Sequence, residues 1–191
     1  MTCSKEEIQE QAYSNLDKFA NSIEAQGFNP WRDAMRAAIA PKSQIVKFQL
    51  LKEISQRISD IGLPITACGS GCNYCCYQAV SVSELEVRAI SKLTGRKYTK
   101  PKNTSVHEDR KKYLGVPCTF LDKGRCSVYE ERPLICRTHL NLSNVNEICK
   151  VGNDLSHDVP YLDTSALTPA IGLICGVDFH DIRDWFPKEI S

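Results

Sequence analysis

Four cysteines lie within nine consecutive positions of this chain, in the segment Cys68-Gly-Ser-Gly-Cys72-Asn-Tyr-Cys75-Cys76. Such crowding constrains the local fold, because thiolates a helical turn or less apart can all point at one centre. If a helix begins here, Cys72, Cys75 and Cys76 share one of its faces. The segment therefore predicts a site for a soft metal ion or an iron–sulfur cluster.

A second block of cysteines comprises Cys118, Cys126 and Cys136, and Cys149 follows it. Two β-prone runs, at 118–121 and 126–129, flank the turn residues Asp-Lys-Gly and predict a small hairpin, which would bring cysteines on facing strands together. A helix that opens at Pro133 would carry Cys136 and, one turn later, His139. That histidine would be either a ligand or a hydrogen-bond partner of the site.

Three arginines are interleaved with the second block, at positions 125, 132 and 137. Four thiolates around a divalent ion carry net negative charge, which nearby guanidinium groups would offset. The alternative is that these arginines are ordinary surface charges.

A disulfide framework would be the other explanation for ten cysteines. It requires an oxidising compartment, whereas the polar segment Met-Thr-Cys-Ser-Lys-Glu-Glu at the start has no features of a secretory leader. A bridge between the adjacent Cys75 and Cys76 would also be strained. The expectation is a cytoplasmic protein with reduced thiols, in which the isolated Cys3 has no role.

Composition excludes several other classes. The chain of 191 residues is 42% hydrophobic and carries 24 basic and 23 acidic residues, a net charge of +1. Such a balance offers no field for nucleic acid, and no stretch approaches the roughly 20 apolar residues of a membrane span. Motifs of serine hydrolases, nucleotide hydrolases and dinucleotide-binding domains are missing from the sequence.

The hydrophobic pattern of the first third is helical. Capping signals at Ser4, Asn29 and Ser43 predict three helices that end near Gly27, Pro41 and Gly62. A second capping box, formed by Ser83 and Glu86, predicts a further helix that ends at Gly95. We predict a mainly α fold with a small β-hairpin and an irregular cysteine-rich metal-binding core. The predicted domains are an N-terminal helical region, 1–63, and a cysteine-cluster metal-binding domain with a C-terminal tail, 64–191.

The cysteines also belong to a longer pattern: C-x3-C-x2-CC, then Pro-Cys-x-Phe-Leu, then Gly-x-Cys-x-Val-Tyr-x-x-Arg-Pro-x-x-Cys-Arg, and later Cys-Lys. Over roughly residues 66 to 150 this pattern resembles the YkgJ-type cysteine-cluster family of zinc- or iron-chelating domains, which extends to flagellin lysine N-methylases. The resemblance implies a metal ion as the partner and eight candidate ligands: Cys68, Cys72, Cys75, Cys76, Cys118, Cys126, Cys136 and Cys149.

Several assignments stay open at the level of sequence. Eight thiols suit two closed zinc sites, whereas one iron–sulfur cluster needs three or four, so zinc and an iron–sulfur cluster remain alternatives. The spacing of Cys68, Cys72 and Cys75 also matches the radical S-adenosylmethionine motif. An enzyme that modifies a protein substrate is therefore the alternative to a metal-binding module. Cys175, in an apolar stretch, is expected to be a small buried hydrophobe.

The sequence of the C-terminal tail allows two interpretations. Asp178, His180 and Asp181 would line a hard-metal pocket in one of them. In the other, which we favour, Trp185 and Phe186 anchor a packed terminal segment.

Overall fold

The computed structural model describes residues 4–69, 71–102, 111–154 and 158–187. The fold is mainly helical with small antiparallel β-ladders, which confirms the predicted fold class. The helices and strands, in chain order, are α1 (Lys5–Ala25), α2 (Pro30–Ile39), α3 (Gln44–Gly62), β1 (Ser81–Ser83), α4 (Glu84–Thr94), β2 (Leu121–Asp122), β3 (Arg125–Cys126), α5 (Leu134–Thr138), α6 (Thr168–Cys175), β4 (Phe179–Asp181) and α7 (Ile182–Trp185).

Contacts divide the chain into two compact units, each made of two segments. The first unit is Met1–Ser70 with Arg137–Ile174, and the second unit is Gly71–Cys136 with Cys175–Ser191. The division at residue 63 remains a prediction about how the chain folds.

The first unit contains the three long helices. Ser4 and Glu7 form a capping box at α1, and the Asn29 and Ser43 side chains cap α2 and α3, as the sequence predicts. Each helix buries its apolar stripe, and these stripes form the core of the unit. The buried residues include Phe19, Ala34, Phe48, Leu51 and Ile58.

The second segment of the first unit has little regular structure and is fixed by hydrogen bonds. The buried Asn15 donates from Nδ2 to the Leu142 carbonyl at 2.8 Å and to Asn144 Oδ1 at 2.9 Å. The Leu162 amide donates to the Leu140 carbonyl at 2.8 Å. These bonds satisfy polar groups that the loops would otherwise bury unpaired.

The second unit is built on the antiparallel pair β1 and β4, in which Val82 lies opposite His180. A hydrophobic cluster covers this pair and includes Val82, Val87, Phe120, Trp185 and Phe186. Trp185 and Phe186 are fully buried, so the C-terminal tail is a packed segment, as we favoured from the sequence. The His180 ring bonds to Asp178 at 2.7 Å.

The hairpin of the second block is confirmed, but it is shorter than predicted. Leu121 pairs with Cys126 and Asp122 with Arg125, so each strand has two residues. The two turn residues, Lys123 and Gly124, both have positive φ, at 46° and 79°. A two-residue turn of this kind matches the right-handed twist of a hairpin.

None of the helices in the described part of the chain has the length and apolarity needed to cross a lipid bilayer.

Candidate metal centre

Five of the eight predicted ligands form a thiol cluster within the second unit: Cys75, Cys76, Cys118, Cys126 and Cys136. A 3-10 turn, Tyr74–Tyr77, carries the first two, in place of the helix considered from the sequence. Cys118 lies just before the hairpin, Cys126 lies in β3 and Cys136 lies in α5. The cluster therefore combines both cysteine blocks.

Two hydrogen bonds to backbone carbonyls hold the two cysteine blocks together. The Cys118 amide donates to the Cys76 carbonyl at 2.7 Å. The side chain of Asn73 donates from Nδ2 to the Gly124 carbonyl, at 3.1 Å, and so joins the first block to the hairpin turn. These bonds link residues about 40 to 50 positions apart, which closes long loops around the cluster.

The cluster lies at the edge of the apolar core of the second unit. Cys118 is buried in that core, and Cys76, Cys126 and Cys136 pack against it. A thiol behaves as a small hydrophobe, so such a position is favourable for the protonated side chain. A thiolate in the same place needs a cation to compensate its charge.

The thiols of the cluster interact electrostatically. Burial is the main cause that raises the pKa of Cys136, and the charges of Cys75, Cys118 and Cys126 raise it further. Burial likewise raises the pKa of Cys118 and of Cys126. These couplings show that the sulfur atoms are near one another, because Coulombic effects on a pKa fall off with distance.

Cys75 and Cys76 interact directly. The hydrogen bond between their side chains is the main cause that raises the pKa of Cys75, followed by burial. Within the described residues, however, no three Cys, His, Asp or Glu side chains already stand in an arrangement that holds a metal ion. Ligation would require rotation about the Cα–Cβ bonds, which moves each sulfur between staggered positions.

The donor set fits a soft metal. It offers sulfur alone, from one buried cysteine, Cys118, and four half-buried ones. Four of these five thiols would complete a tetrahedral zinc site or ligate one iron–sulfur cluster. None of the nine cysteines in the described residues forms a disulfide bond.

Arg183 places a positive charge next to the thiol cluster, and no pattern in the sequence predicted this position. It is only 6% exposed, and its Nη1 donates to both carboxylate oxygens of the fully buried Asp181 at 2.9 Å. Its charge lowers the pKa of Cys118, against the larger effect of burial. Hydrogen bonds between two charged partners, as in this buried pair, are stronger than those between neutral groups.

The same guanidinium group also binds the backbone of both cysteine blocks. Its Nη2 donates to the carbonyls of Val116 at 2.7 Å, Gln78 at 3.0 Å and Cys76 at 3.2 Å. Its Nε donates to the Pro117 carbonyl at 3.3 Å. Arg183 therefore positions the segments that carry Cys76 and Cys118.

The three interleaved arginines have different environments. Arg132 is buried, donates to the Tyr129 carbonyl at 3.1 Å and lowers the pKa of Cys126 by its charge. Arg125 is exposed. Arg137 belongs to the first unit, where it donates to the side chain of Gln56.

Glu86 fixes the helix that carries Cys136. The carboxylate is buried and accepts from the Ser83 amide and hydroxyl, which completes the predicted capping box at α4. Its other oxygen accepts from the amide of Leu134, at 2.8 Å, at the start of α5. One carboxylate thus sets the positions of both helices, since a buried charge must have such partners.

The other predicted ligands lie elsewhere. Cys68 and Cys149 belong to the first unit, where both accept hydrogen bonds from Asn141: its amide reaches Cys68 Sγ at 3.3 Å and its Nδ2 reaches Cys149 Sγ at 3.4 Å. Cys72 belongs to the second unit and is half-buried. Ligation by these three cysteines stays a prediction.

Cys175 has a different environment from the thiol cluster. Burial raises its pKa to about 12, the charge of Glu86 contributes in the same direction, and Ser83 is its hydrogen-bond neighbour. The cysteines of the thiol cluster are not among the causes of this shift. Cys175 therefore offers a matched control for substitutions in the cluster.

His139, in the first unit, is held as a neutral ring. Its Nε2 is buried and lacks a hydrogen-bond partner in the described residues, and its ring stacks on Tyr161 with the centroids 4.0 Å apart. Burial lowers its pKa from 6.5 to about 4. A role as ligand stays a prediction, although an orphaned buried nitrogen is compatible with one.

The lowered pKa of His139 predicts a loss of stability in acid. Because the unfolded chain binds the proton more tightly, the stabilisation is present above about pH 6.5 and disappears as the pH falls towards 4. A shift of this size corresponds to about 3 kcal/mol. Urea unfolding at pH 7.5 and pH 4.5 should show a smaller pH effect in His139→Phe than in the unsubstituted chain. Equal pH effects in both proteins would contradict this account.

The comparisons with known proteins identify one domain. Residues 67–151 match a family model described as "CxxCxxCC: Putative zinc- or iron-chelating domain". The matched segment contains all eight cysteines that the resemblance implied as ligands. No curated protein matches the chain, and no solved structure matches it.

Proposed function

We propose that this chain, whose residues 67–151 match the model of the CxxCxxCC family of zinc- or iron-chelating domains, binds one soft metal centre through thiolates of the thiol cluster. Chelation as such follows from the family; the choice of ligands is our proposal. The observation that carries it is that Cys118 lies in one apolar core and that Cys76, Cys126 and Cys136 pack against the same core, so thiols of both blocks meet there. The effects of Cys75, Cys118 and Cys126 on the pKa of Cys136 agree with this placement.

Several features of the surroundings support this choice. Cys76 forms a side-chain hydrogen bond with Cys75, and the four thiols Cys75, Cys118, Cys126 and Cys136 suffice for a tetrahedral set. Arg183 and Arg132 supply positive charge next to Cys118 and Cys126. Thiolates around a divalent ion need such compensation in a buried site.

The role that follows is a metal-dependent binding or structural module. The segments that carry the cluster have short strands, 3-10 turns and a five-residue helix, α5. Such segments gain order when an ion cross-links them, because metal binding contributes directly to folding. A cytoplasmic location, which is also part of this proposal, would keep the thiols reduced.

An enzyme that uses an iron–sulfur cluster and S-adenosylmethionine to modify a protein substrate is the second candidate. Only the spacing of Cys68, Cys72 and Cys75 favours it. This candidate requires Cys68, a residue of the first unit, as a cluster ligand. The metal-binding module does not.

Metal content tests the proposal. Protein purified without oxygen should contain a stoichiometric soft metal, and Cys136→Ser should lose most of it. Cys175→Ser, in the same unit, should retain the metal of the unsubstituted chain. Equal metal content in both variants, with both folded by circular dichroism, would contradict the proposed ligands.

The same preparation separates the two candidates. A colourless protein with stoichiometric zinc would rule out the iron–sulfur enzyme. A brown protein that loses its cluster in Cys68→Ser and keeps it in Cys136→Ser would favour the enzyme, because that candidate uses Cys68 and the proposed module uses Cys136.

A further inference from the structure

The first unit contains a cavity of about 520 Å³ that is partly open to solvent. This volume lies within the range of small-molecule sites, about 300–1,000 Å³. Its walls come from α1, from the start of α2 and from the loops around residues 142 and 161–163. The cavity contains no cysteine, so it is separate from the thiol cluster.

Four aromatic side chains line the cavity: Phe19, Phe28, Trp31 and Tyr161. Phe19 and Phe28 are 2% and 4% exposed, so the core of the unit holds this part of the wall in place. A preformed wall reduces the conformational entropy that is lost when a ligand binds. Aromatic ring faces also attract cations, most strongly the indole of tryptophan.

The charges around the cavity have one sign. Glu24 and Asp163 are among its lining residues, and none of the described residues that line it is Lys, Arg or His. A hydrogen bond from the backbone amide of Ser165, at 2.9 Å, lowers the pKa of Asp163, which keeps this carboxylate ionised. Within the described part of the chain, neither carboxylate has a salt bridge.

One cation does lie close to an aromatic ring of this cavity. The Arg57 guanidinium lies over Phe28, 4.2 Å from the ring centroid. Its Nη2 is bound to the carbonyl and side-chain oxygen of Gln26 at 3.3 Å and 3.2 Å. Arg57 does not line the cavity, so the charged side chains that line it are those of Glu24 and Asp163.

We propose that this cavity binds a small organic cation, an ammonium group attached to an apolar body. The apolar body would pack on Phe19 and Phe28, and the ammonium group would lie near Glu24, Asp163 and the ring of Trp31. A neutral ligand of the same size leaves the carboxylates without a counter-charge, and an anion is repelled by them. The proposal does not depend on metal binding.

Calorimetric titration with hexyltrimethylammonium, hexanol and hexanoate tests this proposal. We expect the cation to bind saturably. In a parallel fluorescence titration, its binding should change the emission of Trp31, and this change should be lost in Trp31→Phe. Hexanol should bind about fivefold more weakly than the cation and hexanoate more weakly still, since an exposed ion pair or cation–π contact contributes up to about 1 kcal/mol.

The double variant Glu24→Gln with Asp163→Asn provides the control. It should bind the cation about five- to tenfold more weakly and leave the affinity for hexanol unchanged, which also shows that the cavity is intact. The proposal is overturned if the cation does not bind saturably, if hexanol or hexanoate binds as tightly as the cation, or if the double variant retains full affinity for the cation.

Discussion

Replacement of Arg183 by leucine is expected to destabilise the second unit by about 3–5 kcal/mol, the cost of breaking a buried ion pair by removing one partner. The substitution leaves the buried carboxylate of Asp181 without its counter-charge. It also removes the donor from four carbonyls, including that of Cys76. Urea unfolding measures the change.

Arg88→Leu is the matched control for Arg183→Leu. Arg88 is an exposed arginine of α4 that pairs with the exposed carboxylate of Glu84 at 2.6 Å. Its loss should change the free energy of unfolding far less than the loss of Arg183 does, because an exposed ion pair contributes little. If the Arg183 and Arg88 variants unfold alike, the buried guanidinium does not have the structural role that we assign to it.

Arg183→Lys separates the charge of this residue from its shape. Lysine keeps the positive charge but cannot reach a carboxylate and four carbonyls as a planar group does. We therefore expect a stability between those of the leucine variant and the unsubstituted chain. The metal affinity should fall in the same order, because the guanidinium group positions the segments of Cys76 and Cys118.

Removal of the metal is expected to abolish most of the order in the segments that carry the thiol cluster. Structural zinc contributes about 10–16 kcal/mol in zinc-finger peptides, which exceeds the stability of many whole domains, about 5–15 kcal/mol. Burial of several thiols with raised pKa values at the edge of the core does not replace that contribution.

Amide hydrogen exchange measures this loss segment by segment. After chelation, peptides that cover 74–77 and 118–136 should exchange at least about a hundredfold faster, because a loss of only about 3 kcal/mol of protection has that effect. Restoring the metal to the same sample should restore the protection. Unchanged exchange in protein verified to be metal-free would show that the cluster does not depend on an ion.

The sequence was most informative where one residue determines local structure. The capping boxes at Ser4 and Ser83 and the glycine after the predicted α4 each specify a helix end by local hydrogen bonds or by positive φ. The hairpin was predicted from its turn residues. Its strand bounds were not, because the turn consists of Lys123 and Gly124 alone and Asp122, expected in the turn, pairs with Arg125.

Long-range features could not be predicted in the same way. Arg183 lies 107 residues from Cys76 and 67 residues from Val116 along the chain, and no local pattern indicates such partners. The only sequence signal was an Asp181-x-Arg183 pair beside two aromatic residues. The two units are each discontinuous, so periodicity along the chain does not reveal their division.

The surroundings of the individual candidate ligands also depend on the tertiary structure. Spacing alone grouped Cys68 with Cys72, Cys75 and Cys76. Cys68 and Cys149 both lie in the first unit and accept hydrogen bonds from Asn141, and their role as ligands stays a prediction. Side-chain surroundings of this kind depend on tertiary packing, which short-range spacing does not encode.

X-ray absorption spectroscopy at the edge of the bound metal tests the central claim most directly. The account predicts a shell of about four sulfur atoms, at about 2.3 Å if the metal is zinc. Substitution of Cys136 by serine should reduce or abolish that shell, whereas substitution of Cys175 should leave it intact. A first shell made only of nitrogen and oxygen atoms, or a sulfur shell unaffected by the Cys136 substitution, would contradict the assignment of the thiol cluster as the metal site.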